Sequence, residues 1–307
     1  MKNSNSFTYQ LVKEFAHLKL KCFVLATTLL LIYVLPAYAM RDIPDDNLSY
    51  PVSINLNDGG TGSGFYLNTD KYTFLVTAKH VLYKSDKDKK TGVEQLSLRS
   101  QTATLLSYPK DPQDEGVIIL SLDLLNLEKS GAIKKSDKHD VVLVLIGKGS
   151  PTGDQHFLKF SNGVMLKQKA KSGLLGVGVT NLKKFSHVLT ANEVFVFGYP
   201  TSIGLKQIPQ LDYSRPLLRK GIVAGLNHKT ETIVLDCPIY KGNSGGPVLE
   251  VERDGFQNKF RIIGVVSQFV PFAEQWENKT QGYWNMSISN SGYSIASPTD
   301  AILELID

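Results

Sequence analysis

Apolar positions along the chain gather in short runs separated by turn-forming residues. The runs are "GSGFYLNT" (62–69), "YTFLVTA" (72–78), "TATLLSY" (102–108), "GVIILSL" (116–122), "VVLVLIG" (141–147), "EVFVFGY" (193–199), "KGIVAGL" (220–226), "ETIVLDC" (231–237), "GPVLEV" (246–251) and "RIIGVVSQF" (261–269). They are rich in β-branched and aromatic residues, and their spacing predicts an antiparallel all-β sandwich or barrel, not alternating strands and helices. Only "SPTDAILELID" at the end reads as a helix, with Ser297 or Thr299 as its cap and Ile302, Leu303 and Ile306 on one face. The strand signal is weakest between Gly147 and Lys184, which puts a boundary near residue 170 and gives two β units, 40–170 and 171–307, each of ordinary domain size.

The first 39 residues have a different pattern. Lys2, Lys13, Lys19 and Lys21 precede an apolar run from Cys22 to Val34, and Ala37-Tyr38-Ala39 follows. This is the layout of a secretory signal peptide cut after Ala39, and the run is shorter than the roughly 20 residues a bilayer-spanning helix needs. The expectation is an exported protein, periplasmic or secreted, with no stable membrane anchor once the leader is gone.

At 307 residues, 42% hydrophobic and 21% charged, the composition is that of a soluble globular chain and excludes collagen, coiled coil and disorder. The formal charge of +5 comes partly from the leader, which holds four of the 34 basic and one of the 29 acidic residues and leaves +2 for the remainder. The lysine-rich stretches 83–92 and 166–173 have no interleaved aromatics to stack on bases, so they read as solvated loops and no nucleic-acid partner is expected. Beyond the leader only Cys237 remains, so no intramolecular disulfide is expected, and Cys237 reads as a buried structural thiol. One cysteine and five scattered histidines beyond the leader offer no zinc cluster, and no cofactor is implied.

The segment "YKGNSGGPVLE" (240–250) sets Ser244 among three glycines between apolar runs. A serine hydroxyl is a poor nucleophile unless a base takes its proton and donors hold the charge that develops on the attacked carbonyl. Gly242 can turn its own N–H and that of Ser244 toward one point, and Gly245 and Gly246 would leave an approaching peptide unobstructed. "FLVTAKHVL" (74–82) delivers His80 at the end of a strand, and "KHDVVLVLI" (138–146) puts Asp140 at the mouth of another. Each is unremarkable alone. In the order His, Asp, Ser they form one known arrangement of base, orienter and nucleophile, with Asp111, Asp114 and Asp123 as rivals to Asp140.

These segments resemble those of the trypsin-like serine peptidases, in particular the exported bacterial HtrA type. "GNSGGPV" resembles the nucleophile motif, "TAKHV" the histidine motif and "HDVVLVL" the aspartate motif, with weaker echoes in "GSGFYL", "VFVFGYP", "GIVAG" and "RIIGVVS". The resemblance implies two six-stranded antiparallel β-barrels followed by the C-terminal helix, with the active site between the barrels. It implies Ser244 as nucleophile, His80 as general base and acid, Asp140 as the holder of the imidazole, and the N–H groups of Gly242 and Ser244 as the oxyanion hole. The base of the primary pocket falls on Pro238 and its wall on Ser267, Gln268 and Phe269, uncharged residues that suit a small or medium apolar side chain before the cut.

Two departures matter. Asn243 stands where many animal members have an aspartate that pairs with a new N-terminus, so activation by that ion pair is not expected. The PDZ domain of typical HtrA proteins is also not expected, and the chain reads as a monomer acting on protein or peptide substrates. The rival reading is an inactive homologue that serves as a protein-binding module. Trp276, Tyr283 and Trp284, in the stretch 271–294, suit either interface anchors or plugs packed against the second barrel.

Overall fold

The computed structural model describes residues 43–306 apart from 44, 88–93, 112, 150–157, 202–207 and 255–256, so the expected leader lies outside the described residues. The fold is all-β. The first unit contains β1 (Pro51–Leu56), β2 (Thr61–Asn68), β3 (Tyr72–Thr77), β4 (Tyr83–Lys87), β5 (Glu94–Leu98), β6 (Thr102–Ser107), β7 (Ile118–Asp123), β8 (Ile133–Lys135), β9 (Val142–Gly149), β10 (Leu158–Phe160), β11 (Val164–Gln168) and β12 (Val177–Gly178). The second contains β13 (Glu193–Gly198), β14 (Leu217–Asn227), β15 (Thr232–Asp236), β16 (Pro247–Asp254), β17 (Gln257–Asn278) and β18 (Tyr283–Pro298). These six close into a barrel in the order β13-β14-β15-β18-β17-β16.

In the first unit the antiparallel run β9-β3-β2-β1-β6-β7 supplies the six expected strands, with β10 and β11 added at its two ends and β8 and β12 off the path. Among the described residues no ladder joins β9 to β7. One apolar core holds the curled sheet together, taking Ile54 from β1, Tyr66 from β2, Leu75 from β3, Leu105 from β6, Leu120 from β7 and Val144 from β9. The alternate residues of β2, β3 and β9 form a second core on the opposite face, where Phe65, Val76 and Leu143 pack against Phe197, Leu249 and Val265 of the second barrel. Strands buried on both faces need continuous apolar sequence, which is why "GFYL" and "VVLVLIG" show little alternation.

The C-terminal helix is Asp300–Ile306. Thr299 precedes it, but its hydroxyl donates to the carbonyl of Lys183 (2.5 Å) in place of capping. The helix packs through Ala301, Ile302, Leu305 and Ile306, with Leu305 taking the place expected of Leu303. Two further short helices, α1 (Lys79–Leu82) and α2 (Leu124–Lys129), have no periodic signal because each is at most two turns long. The lysine-rich stretches expected as loops contribute in part to β4 and β11, where residues 84–86 and 165–168 are exposed, while Tyr83 and Ala170 of the same stretches are buried in the first core. Among the described residues no helix is long and apolar enough to cross a membrane.

Candidate active site

β3 and β9 are ladder neighbours, with Thr77 opposite Val142. The residues that follow the one and precede the other are therefore brought side by side. His80 lies in the single turn α1, which buries Val81 and Leu82 beneath it and leaves the imidazole 47% exposed. Asp140 stands two residues before β9. Its Oδ2 lies 2.6 Å from His80 Nδ1, and its Oδ1 accepts the His80 amide N–H at 3.1 Å. A carboxylate only accepts, so Nδ1 carries the proton and Nε2 is left as the free base. Burial pushes the Asp140 carboxyl up, but the His80 ring, the Ser267 hydroxyl and the His80 amide outweigh it and hold the group below the usual carboxylate range.

The rival aspartates are committed elsewhere. Asp111 accepts from the Gln113 amide, Asp114 from the amides of Gly116 and Ser172, and Asp123 caps α2 through the Asn126 amide.

Ser244 occupies the turn before β16. Its carbonyl accepts the Ser63 amide (2.8 Å), and the following amide, that of Gly245, donates to Val266 (2.7 Å). Gly245 has φ +87°, and a Cβ there would lie 2.1 Å from both the Ser63 carbonyl and Thr77 Oγ1 and 2.9 Å from the Ala78 nitrogen. The turn that carries Ser244 is thus pressed onto the end of β3, three residues from His80. A Cβ on Gly246 would lie 2.2 Å from the Phe197 carbonyl. The two glycines therefore serve close backbone packing, not substrate clearance as the sequence suggested, because a side chain at either would strike the protein's own main chain. Among the described residues Ser244 Oγ makes no hydrogen bond, to His80 or to any other group; in substrate-free sites such bonds are often long and tighten when substrate binds.

Neither the Gly242 nor the Ser244 N–H has a partner among the described residues. The orientation of the first has a visible cause. The Lys241 carbonyl accepts the Thr201 amide at 2.9 Å, and in a trans peptide the C=O and N–H point opposite ways, so the Gly242 N–H faces away from Thr201. Gly242 itself has φ +99°, and its carbonyl accepts the Ser63 hydroxyl at 2.6 Å, while Ser63 Oγ in turn accepts the Tyr199 amide at 2.9 Å. A Cβ on Gly242 would lie 2.4 Å from the Tyr199 carbonyl. If the Gly242 N–H holds an oxyanion as the sequence implies, Gly242→Ala should lower kcat by about 10²–10³-fold with a smaller change in KM, as measured by steady-state kinetics on a peptide substrate. Asn243 closes its own turn, its Oδ1 accepting the Tyr240 amide (3.2 Å).

Ser63 and Thr201 escaped sequence reasoning. The available signal was Gly-Ser-Gly inside a strand, a composition that marks close approach by another backbone.

Pro238 is half-buried between two pinned carbonyls, that of Cys237 bonded by Ser294 Oγ (2.9 Å) and that of Ile239 by Asn290 Nδ2 (2.6 Å). Gln268 and Phe269 pair with Ile295 and Ser294, so both expected walls of the pocket adjoin the same stretch of β18. The Ser267 hydroxyl is turned the other way, onto Asp140 Oδ2 at 2.8 Å. Cys237 is buried, and burial pushes its thiol up to about 11, which keeps it unreactive at neutral pH.

A family model described as a trypsin-like peptidase domain matches residues 62–255, a span that includes His80, Asp140 and Ser244. No curated protein matches the chain. Among solved structures, one described as the HtrA-type protease AlgW with decapeptide is similar at 16% identity and a TM-score of 0.40, over 80% of this chain and 50% of that one. The chain therefore spans about half the length of that protein.

Proposed function

The chain belongs to the trypsin-like peptidase family, and on that footing we propose that it is a serine endopeptidase that cuts peptide bonds through Ser244, His80 and Asp140. Ser244 Oγ attacks the scissile carbonyl carbon while His80 Nε2 takes its proton. The negative charge on the carbonyl oxygen is held by the N–H groups of Gly242 and Ser244. His80 then protonates the departing amine, leaving an acyl-serine ester. Water, deprotonated by the same nitrogen, attacks the ester, the acyl–Oγ bond breaks to release the acid product, and His80 Nε2 returns the proton to Ser244 Oγ. Asp140 holds the ring throughout and offsets the charge of the imidazolium. The observation that carries this reading is the 2.6 Å contact between His80 Nδ1 and Asp140, next to a nucleophile turn with two unpartnered amides.

The enzyme acts outside the cytoplasm as a monomer built from two units, the first of which extends past the expected boundary at residue 170 to β12, and its leader is removed after Ala39. Pro238, Gln268 and Phe269 select a small or medium apolar residue before the cut. The missing hydrogen bond on Ser244 Oγ is the one feature that favours the rival reading, an inactive binding module. Cleavage profiling of a peptide library with the wild type beside Ser244→Ala separates the two. Cuts after small apolar residues that vanish in the variant support the proposal, cuts mainly after Lys, Arg or Glu overturn the specificity, and equal patterns from both proteins overturn the enzyme.

A further inference from the structure

The strand that carries Ser267 runs far past the barrel. β16 and the turn before it line one edge of β17 as far as Val266, where the last bonds are Gly245 N–H to the Val266 carbonyl (2.7 Å) and Val266 N–H to the Gly246 carbonyl (2.9 Å). From Ser267 onward no strand lies on that edge among the described residues, while the other edge stays paired with β18 out to Asn278 opposite Tyr283. The open edge therefore begins beside Ser244 and continues along a two-stranded arm.

The arm has unusual surfaces. Residues 271–289 are exposed apart from a half-buried Asn278, so no other layer covers either face, and the aromatics weighed as barrel plugs are not plugs. Its register puts Phe272, Trp276 and Tyr283 on one face and Trp284, Met286 and Ile288 on the other, with Trp276 59%, Trp284 60% and Ile288 65% exposed. A ribbon of two strands is marginal in water and gains stability from a third. Its main-chain groups on the open edge are ready to pair with an extended chain.

We infer that this third strand is the substrate itself. A chain crossing Ser244 is delivered to the open edge and continues along Val270 to Asn278 as an added strand, a contact that rests on Ser244 being the nucleophile. The added strand would extend both apolar faces, so its side chains are apolar at both alternations. Glu274 and Glu277, one on each face, exclude an acidic segment. The substrate class is an unfolded or locally unfolded polypeptide with an apolar stretch of about nine residues, some 30 Å, next to the cut.

The test uses the full chain and quenched fluorescent peptides that share one cleavable core, bare or extended by ten apolar residues on one side or the other. An extension on one side only is expected to raise kcat/KM about tenfold or more, through KM, and N-methylation of its alternate residues is expected to remove the gain. A variant with residues 272–289 replaced by a short glycine turn is expected to cut the bare core as the wild type does and to show no gain. If that variant loses all activity, the N-methyl series on the wild type decides alone. A core peptide that is cut with no benefit from either extension overturns this inference and leaves the peptidase reading standing. A core peptide that is never cut overturns both. A concentration-dependent dimer that disappears with the arm, without any extension effect, would assign the edge to a second copy.

Discussion

Asp140→Asn is expected to lower kcat by about 10⁴-fold with little change in KM, the largest effect of any substitution that leaves the nucleophile and base in place. The hydrogen bonds dictate the reason. Asp140 Oδ1 receives the His80 amide, a donor that cannot reverse, so the oxygen of an asparagine must take that position. Its NH₂ then occupies the place of Oδ2 and faces His80 Nδ1, 2.6 Å away in the wild type, which forces that nitrogen to accept and moves the ring proton to Nε2. Nε2, the nitrogen assigned as base, would then carry the proton and could not take another. Stability should respond differently. The folded carboxyl of Asp140 lies below its unfolded value, so its contribution is fully present above that value and is lost as pH falls through the folded one. The gap in stability between wild type and variant should therefore be constant near neutral pH and close in acid. A rate loss of less than about tenfold would remove Asp140 from the role of orienter.

Glu250→Ala is expected to destabilise the fold by about 3–5 kcal/mol, read as a lowered denaturant midpoint at unchanged slope. Glu250 has no solvent exposure. Its carboxylate bonds Lys183 Nζ at 2.6 Å and Asn192 Nδ2 at 2.7 Å, tying the segment that leads into the second barrel to β16. Lys183, itself only 8% exposed, would keep the more exposed Glu252 as its remaining carboxylate partner. Burial alone would lower the Lys183 ammonium, but the two glutamates outweigh it and raise it. The pair's contribution is therefore present below the unfolded lysine value of about 10.4 and is lost only as pH rises through the higher folded one. Replacing both partners at once, as Lys183→Met with Glu250→Leu, should cost far less than Glu250→Ala, because the single variant leaves the buried Lys183 with only the partly exposed Glu252 while the double variant leaves no charge in the buried position. A loss below about 1 kcal/mol for the single variant would contradict the network.

All ten apolar runs became strands, since β-branched and aromatic residues bounded by turn formers leave few alternatives. β1 was less legible because "PVSINL" opens on a proline and mixes polar with apolar positions. The arm is absent from the apolar runs because its Asn, Ser and Gly residues mask an alternation that appears only once the strands pair across Asn278 and Tyr283, at a turn where Gly282 has φ +69°. His80, Asp140 and Ser244 stand out as candidates because those residue types in that chain order, each beside an apolar strand, are rare. Ser63, Thr201 and the true partner of Ser267 were not, because nothing local distinguishes them. Ser63 meets Gly242 across 179 positions and Ser267 meets Asp140 across 127, so their roles exist only in the folded chain.

The nucleophile can be tested without knowing any substrate. A fluorophosphonate reacts with a serine hydroxyl only where a base activates it and donors hold the phosphoryl oxygen. Exposure of the full chain to such a reagent, followed by peptide mass analysis, should find a single adduct on Ser244 and none on Ser244→Ala or His80→Ala. An unmodified wild type, or an adduct that persists in Ser244→Ala, would contradict the assignment of this protein as a serine peptidase.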